Sequence, residues 1–264
     1  MTVTPTAPRT AFDLTGKVAI VTGSSRGIGR SIALHLADAG ARVVVSSRKQ
    51  PACEAVVEEI VNRGGQATAI TCNISEPEQL ENLAHTTLER FGRIDTLVCN
   101  AASNPYFGPM TGLDQQAFDK IMHNNVFRNL QLVNLVAPEI AKQGGGSVIV
   151  ISSVGGLRGD AHIGAYNMSK AADMQLVRNL AVEWGPQKVR CNTIAPGLIK
   201  TDFARALWQN PKLLASIERG TPLGRIGQPD DIGPIAVFLA ADAGAYITGQ
   251  VLVADGGMTS RAAW

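Results

Sequence analysis

Apolar residues in this chain follow two alternating rhythms. Short β-branched runs, "VAIVT", "RVVVSS", "ATAIT", "IDTLVC", "SVIVIS", "VRCNTI" and "QVLVAD", carry apolar residues on both alternating faces, as strands covered on both sides do. Between them, apolar residues recur every three or four positions, which predicts helices over residues 28–39, 52–63, 77–91, 115–142, 166–185 and 230–240. Strands and helices in strict alternation connect by right-handed crossovers. The pattern therefore predicts one doubly wound α/β domain around a seven-stranded parallel sheet, with active residues at the carboxyl ends of the strands.

One crossover is interrupted. Residues 202–227, "DFARALWQNPKLLASIERGTPLGRIG", stand between a strand and a helix and mix charges with Phe203, Leu207, Trp208, Leu213 and Leu214. A connection of this length is usually a functional loop or a disordered one, and its apolar members predict a lid. Residues 1–11 are dominated by threonine, proline and alanine, which predicts a mobile tail ahead of a single domain over 12–264.

Composition narrows the class of function. At 45% hydrophobic and 17% charged, with 27 glycines in 264 residues, the chain suits a well-filled core with many tight turns. A net charge of +2 without a basic run argues against a nucleic-acid surface. No apolar run reaches the roughly 18 residues a membrane span needs, and the N-terminal stretch lacks the apolar segment of a secretory signal. The expectation is a cytoplasmic protein with a small-molecule substrate and neither nucleic-acid nor membrane partners. Cys53, Cys72, Cys99 and Cys191 have no C-x-x-C spacing and read as reduced thiols. His35, His85, His123 and His162 lack metal-ligand spacing, so no metal is expected.

The turn after the first strand, "TGSSRGIG", carries chemistry. Gly23, Gly27 and Gly29, with Ser25, Arg26 and Ile28 among them, allow a tight turn and close approach of backbone to a pyrophosphate, which the free amides of the next helix then face. A chain that grips a ribose 2′-hydroxyl places an acid at the end of the second strand. Here that strand ends "VVVSSRK", with Ser47 where the acid is expected and Arg48 after it. A 2′-phosphate of about −1.5 to −2 charge would be attracted by Arg48 and Arg26. NADP(H) is the expected cofactor, with NAD(H) as the alternative.

A second motif, "AYNMSKA", puts Tyr166 and Lys170 one turn apart on a helix face. An ammonium about 4 Å from a phenol is worth about 1 kcal/mol in water but about 4 kcal/mol at an effective dielectric of about 20. The second figure is near three pKa units, enough to bring a phenol from about 10 toward 7. Desolvation of the phenolate opposes this.

Over about residues 14–258 the sequence resembles the short-chain dehydrogenase/reductase family, through "TGSSRGIG", "CNAA", "HNNV", "ISS", "YNMSK", "NTIAPGLIKT", "RIGQPDDI" and "YITGQVLVADGG" in that order. Within the family, "VVVSSRK", "NPYFG" and "APGLIKT" with a following "LW" are similar to NADP-dependent carbonyl and retinal reductases of the peroxisomal kind, although this chain continues to "SRAAW" where those carry a peroxisomal address. The resemblance implies a Rossmann fold and hydride transfer between a nicotinamide and a carbonyl or alcohol. Tyr166 would be the general acid/base, Lys170 its partner, and Ser153 a donor to the substrate oxygen. Asn125 would hold a water that relays protons from Lys170. Asn100, with Ala101 and Ala102, would lie by the cofactor, Ile199 and Thr201 after Pro196 and Gly197 would meet the nicotinamide carboxamide, and Asn73 with Ile74 would stand at the adenine. Asn73 replaces the family's usual aspartate, and Arg128 replaces a small residue after the relay asparagine.

Tyr106, Phe107, Leu157, His162 and Trp208 form a mostly apolar set that predicts a hydrophobic ketone, aldehyde or secondary alcohol as substrate. One alternative is reduction of 3-oxoacyl thioesters, although Gln131 and Val182 stand where carrier-protein-docking relatives have arginines. Another is a dinucleotide-binding regulatory protein without turnover. The resemblance also implies a homotetramer or homodimer formed through the helices over 115–142 and 166–185.

Overall fold

The computed structural model describes residues 10–261, so the mobile tail expected at 1–11 lies almost wholly outside the described residues. The last two residues of that stretch are tied down: Asp13 N donates to the Thr10 carbonyl at 3.0 Å, and Ala243 N to that of Ala11 at 2.8 Å.

Seven strands form one parallel sheet: β1 (Val18–Thr22), β2 (Arg42–Ser46), β3 (Gln66–Ala69), β4 (Thr96–Cys99), β5 (Gly146–Ile151), β6 (Val189–Pro196) and β7 (Val251–Ala254). Their order across the sheet is β3-β2-β1-β4-β5-β6-β7. Connections run outward in opposite directions from β1 and β4, so the crevice of a doubly wound sheet opens beyond the carboxyl ends of those two strands. One face is covered by α1 (Gly27–Asp38), α2 (Gln50–Asn62) and α9 (Gly233–Ala240), which supply Ile32, Leu36, Val56, Ile60 and Leu239 to one core cluster. The other is covered by α3 (Pro77–Phe91), α5 (Arg128–Lys142) and α6 (Gly164–Trp184), with Leu80, Leu83, Val133, Ile140 and Val177 in the second cluster.

The expected elements form, with three differences. The helix predicted over 115–142 is divided into α4 (Gln115–Met122), a wide π turn (His123–Phe127) and α5. Such turns insert a residue into a helix and re-aim the next turn, and this one carries Asn124 and Asn125, both buried. The helix predicted over 230–240 starts later, because a short 3-10 turn, Pro229–Asp231, precedes it. The segment 202–227 is not a loop but carries α7 (Arg205–Trp208) and α8 (Pro211–Gly220). Asn210 caps α8 by accepting from the amides of Lys212 and Leu213, as an N-cap asparagine does.

All four cysteines are free and buried. Burial pushes the Cys72 thiol up to about 11 and that of Cys191 to about 12. Among the described residues no helix is long and apolar enough to cross a membrane, and no group of His, Cys, Asp and Glu is placed to hold a metal ion.

At the amino end of the sheet, opposite the crevice, buried Asp95 ties β1 to β4. It accepts from Val18 N at 2.9 Å, Arg93 Nε at 2.8 Å and Lys17 Nζ at 3.3 Å. Burial works to raise its pKa, but these donors outweigh it and hold the carboxyl below its ordinary value. Such a group stabilises the fold fully above the unfolded-state value near about 4, and the contribution is lost as the pH falls through the lower folded-state value. Asp95→Ala is expected to lower stability by about 2–3 kcal/mol in urea unfolding at neutral pH, with the difference from the parent shrinking below about pH 4.

Candidate active site

The glycine turn closes as the spacing predicts. Gly23 and Gly27 have φ of +65° and +56°, a region that favours glycine. Gly29 is needed for space: a Cβ there would stand 2.4 Å from the Gly23 carbonyl oxygen and 2.5 Å from Asn100 Nδ2. Asn100, at the end of β4, donates from Nδ2 to the carbonyls of Thr22 at 3.0 Å and Gly23 at 3.1 Å, while Thr22 Oγ1 accepts from the amides of Asn100 and Ala101. Asn100 therefore braces the glycine turn against β4, and Ala102 follows in the same loop. Ser25 and Arg26 lead into α1, where Arg26 takes the N-cap position with no side-chain cap of its own. A Cβ on Gly27 would come 3.2 Å from Thr201 Cγ2, which brings the loop after β6 over the start of α1. A narrow cradle of backbone at the start of a twelve-residue helix fits a pyrophosphate.

At the end of β2, Ser47 lies 3.2 Å from Cys53 Sγ, and Arg48 is exposed. Arg26 is paired with Asp202 at 3.6 Å, a contact between the glycine turn and the first residue of the lid. Asn73 is engaged locally: its amide donates to Gln79 Oε1 at 2.7 Å and its Oδ1 accepts from Ser75 N at 3.2 Å, with Ile74 half-buried between. Arg128 has a structural task, because its Nη2 donates to the Ser75 carbonyl at 2.8 Å and its Nη1 to Gln131. It ties α5 to the loop that carries Asn73. Pro196 and Gly197 end β6, where Gly197 lies so close to Asp255 that a Cβ would meet its Cα at 2.8 Å. Ile199 is buried and bridges Gly227.

Ser153, Tyr166 and Lys170 come together at the carboxyl end of β5. Ser153 caps the turn Val154–Leu157, its Oγ accepting from Gly155 N at 3.0 Å, and stands close enough to the Tyr166 hydroxyl to favour its ionised form. Lys170 Nζ lies 5.7 Å from the centre of the Tyr166 ring and donates to the Ile151 carbonyl at 2.9 Å. Asn125 is held from three sides: Oδ1 accepts from Ser103 N at 2.8 Å, and Nδ2 donates to Ser103 O and Ser169 Oγ, each at 3.0 Å. The π turn and α6 are thereby joined directly behind Lys170.

The electrostatics depart from the expectation that Lys170 draws the Tyr166 hydroxyl down toward neutrality. Burial pushes that hydroxyl up, Lys170 pulls it down, Asp173 pushes it up again, and Ser153 opposes; the net direction is above the ordinary value. Asp173 is the residue that motif reading missed. Its Oδ2 accepts from Lys170 Nζ at 3.0 Å, with the two side chains 0% and 2% exposed. The available signal was an aspartate three residues after the lysine inside an otherwise apolar stretch, "KAADMQLV".

The residues expected at the substrate are placed as follows. Phe107 stacks on His162 with ring centres 5.3 Å apart, and Gly108 N donates to the His162 carbonyl at 2.7 Å. Leu157 is exposed nearby on the turn after Ser153. Tyr106 turns back on its own loop, its hydroxyl donating to the Pro109 carbonyl at 2.8 Å. Trp208 is occupied within the lid, with Nε1 donating to the Thr201 carbonyl at 2.8 Å and Lys200 5.5 Å over its ring. The lid aromatic that meets Tyr166 is Phe203, at 5.9 Å between ring centres.

Residues 23–259 match the family model described as enoyl-(acyl carrier protein) reductase. Dehydrogenase/reductase SDR family member 4 of Sus scrofa is 41% identical over 248 residues, covering 94% of this chain and 89% of its own. A 7α-hydroxysteroid dehydrogenase, solved with NADH and 7-oxo glycochenodeoxycholic acid, is 39% identical with a TM-score of 0.90, covering 94% of this chain and 96% of its own. A gluconate 5-dehydrogenase from Burkholderia cenocepacia, solved with NADP and tartrate, is 30% identical with a TM-score of 0.91, over 96% and 98% of the two chains. With the motifs in order, the switch-point crevice built and these relatives matched along nearly their whole length, the chain belongs to the short-chain dehydrogenase/reductase family of oxidoreductases.

Proposed function

We propose that this protein interconverts a carbonyl and an alcohol by hydride transfer, with NADP(H) preferred. The observation that carries the reading is the meeting of Ser153, Tyr166 and buried Lys170 at the carboxyl end of β5, on the same sheet edge as the glycine cradle after β1. When bound, the nicotinamide supplies or takes up the hydride. Ser153 and Tyr166 donate to the substrate oxygen, and Tyr166 releases its proton as that oxygen gains negative charge. Lys170 lies beside the phenol, and Asn125 orients a water through which protons pass to and from Lys170. In alcohol oxidation Tyr166 takes the proton back.

The cradle of Gly23, Gly27 and Gly29 receives the pyrophosphate, with Ser25, Ile28, Asn100, Ala101 and Thr201 around it. Ser47 and Arg48 receive a 2′-phosphate; Ser47 supplies a hydroxyl and Arg48 an exposed guanidinium with no acid at the strand end. NAD(H) is the alternative, and the relatives include complexes with each dinucleotide. Phe107, His162, Leu157 and Phe203 offer a mostly apolar wall, which favours a hydrophobic ketone, aldehyde or secondary alcohol. The ketone bound by the hydroxysteroid dehydrogenase relative is of that kind. Val182, 82% exposed on α6, offers a carrier protein no positive charge, so among 3-oxoacyl thioesters the coenzyme A esters are the competing substrates. The exposed apolar residues Phe127, Met168 and Val182 support self-association through α5 and α6.

A panel of aromatic and alicyclic ketones, acetoacetyl-CoA and sugars, followed by NADPH absorbance with NADH alongside, tests the reading; binding without turnover across the panel would make the protein a dinucleotide sensor. Tyr166→Phe is expected to keep NADPH binding and lose about 10²–10⁴-fold in kcat, and an unchanged kcat would remove Tyr166 from the acid's role. Arg48→Ala is expected to raise the NADPH KM about tenfold, the loss of one charge-assisted contact, while the NADH KM changes less than about twofold. Equal effects on both would show that Arg48 does not face a 2′-phosphate.

A further inference from the structure

Two buried polar side chains at the site have no task in the proposed reaction, Asp173 and Asn129. Tyr166, Lys170 and Asp173 occupy positions i, i+4 and i+7 of α6, so they succeed one another along a single face with the lysine in the middle. Lys170 Nζ donates to Asp173 Oδ2 at 3.0 Å. Asn129, reaching across from α5, donates to the other carboxylate oxygen at 3.3 Å and to the Asn125 carbonyl at 2.5 Å. The carboxylate is thus clamped from two helices and connected to the residue that anchors the π turn. A buried ion pair is commonly no more stabilising than apolar residues of the same volume, so fold stability alone does not account for a charged pair in this core.

We propose that Asp173 is a positioning residue that acts as the standing counter-ion of Lys170, so that Tyr166 stays protonated and its acid form persists to a higher pH than a lysine alone beside it would allow. This rests on the reading of Tyr166 as the acid, and it adds to that reading the pH range over which the acid form persists.

The physical reason is the number of anions that one buried ammonium needs. A lone ammonium beside a phenol favours the phenolate strongly at low dielectric. Once a carboxylate lies 3.0 Å from the same ammonium, the phenol faces a nearly neutral dipole in place of a full positive charge, and its ionisation would add a second anion to the pocket. Burial alone would lower the Lys170 ammonium, but Asp173, Tyr166 and Cys99 together carry it above its ordinary value, so it remains charged; burial also carries the Asp173 carboxyl above its ordinary value, against the pull of Lys170 and Asn129, and the 3.0 Å contact with Lys170 is what holds it as the anion of the pair. The groups facing this pair from other elements bring no further charge. Cys99 on β4 is held far above its ordinary thiol value by burial, and Cys191 on β6 is pushed up to about 12. Ile151 O, Ser153, Asn125 and Asn129 are neutral, and Phe203 closes the lid side.

The test is a spectrophotometric titration of tyrosinate in the full-length protein without substrate, with Tyr166→Phe subtracted to isolate this phenol from Tyr106 and Tyr246. In the parent protein the Tyr166 midpoint is expected at or above the ordinary value of about 10; a midpoint well below it overturns the proposal without any further variant. In Asp173→Asn the phenolate becomes the anion that pairs with Lys170, and the midpoint is expected to fall by about one pH unit or more. Asp173→Glu keeps the charge and is expected to leave the midpoint high, which a merely space-filling role for Asp173 would not require. An unchanged or raised midpoint in Asp173→Asn overturns the proposal. Because the titration needs no turnover, its failure is separable from failure of the carbonyl reading. Where turnover is found, Asp173→Asn is expected to move the basic limb of the reductive kcat/KM profile to lower pH by the same amount.

Discussion

A parallel sheet covered by helices on both faces leaves its two ends as the places where polar chemistry reaches solvent. Every strand of this sheet but β3 and β7, at the two edges, is almost wholly buried, and the two core clusters occupy the layers above and below it. Charged side chains of the strands are therefore displaced to the strand ends. At the amino end Asp95 joins the first two central strands and has a structural task. At the carboxyl end the chain reverses direction between β1 and β4, and the opened crevice receives the glycine turn, Asn100, Ser153 and the start of α6.

Lys170 and Asp173 break that rule, since both are charged and neither reaches solvent. The cost of burying them is offset by the close pairing, the Ile151 carbonyl and the Asn129 amide. The consequence for the proposed acid is a change of sign. A tyrosine beside a lysine alone reads as a phenol with a lowered pKa, and a tyrosine beside a lysine already matched to a carboxylate reads as one kept protonated. The same two motif residues therefore hold the phenol in a different protonation balance according to a third residue one turn further along the helix.

The lid shows a related division of labour. Phe203 packs on Tyr166, while Trp208 spends its indole N–H on Thr201 and its face on Lys200. Both aromatics were visible in the segment 202–227, but their spacing alone did not say which would turn toward the crevice. The pairing of Arg26 with Asp202 joins the first residue of the segment 202–227 to the glycine turn, so these two parts of the crevice rim are in contact.

Periodicity and glycine spacing determined the seven strands, their alternation with helices and the glycine turn, because local steric preference and the burial of apolar faces act over a few neighbouring positions, while Ser153, Asn125 and Asn100 were implied by the family resemblance. Pro77–Phe91 and Val18–Thr22 form as the pattern alone requires. The π turn at His123–Phe127, the reach of Arg128 to Ser75 and the Lys170–Asp173–Asn129 clamp were decided by tertiary structure. Each depends on a partner from a distant part of the chain or on the low dielectric of a core that exists only after folding. A charge in the sequence carries no sign of whether water will surround it, and that is what sets the behaviour of Tyr166.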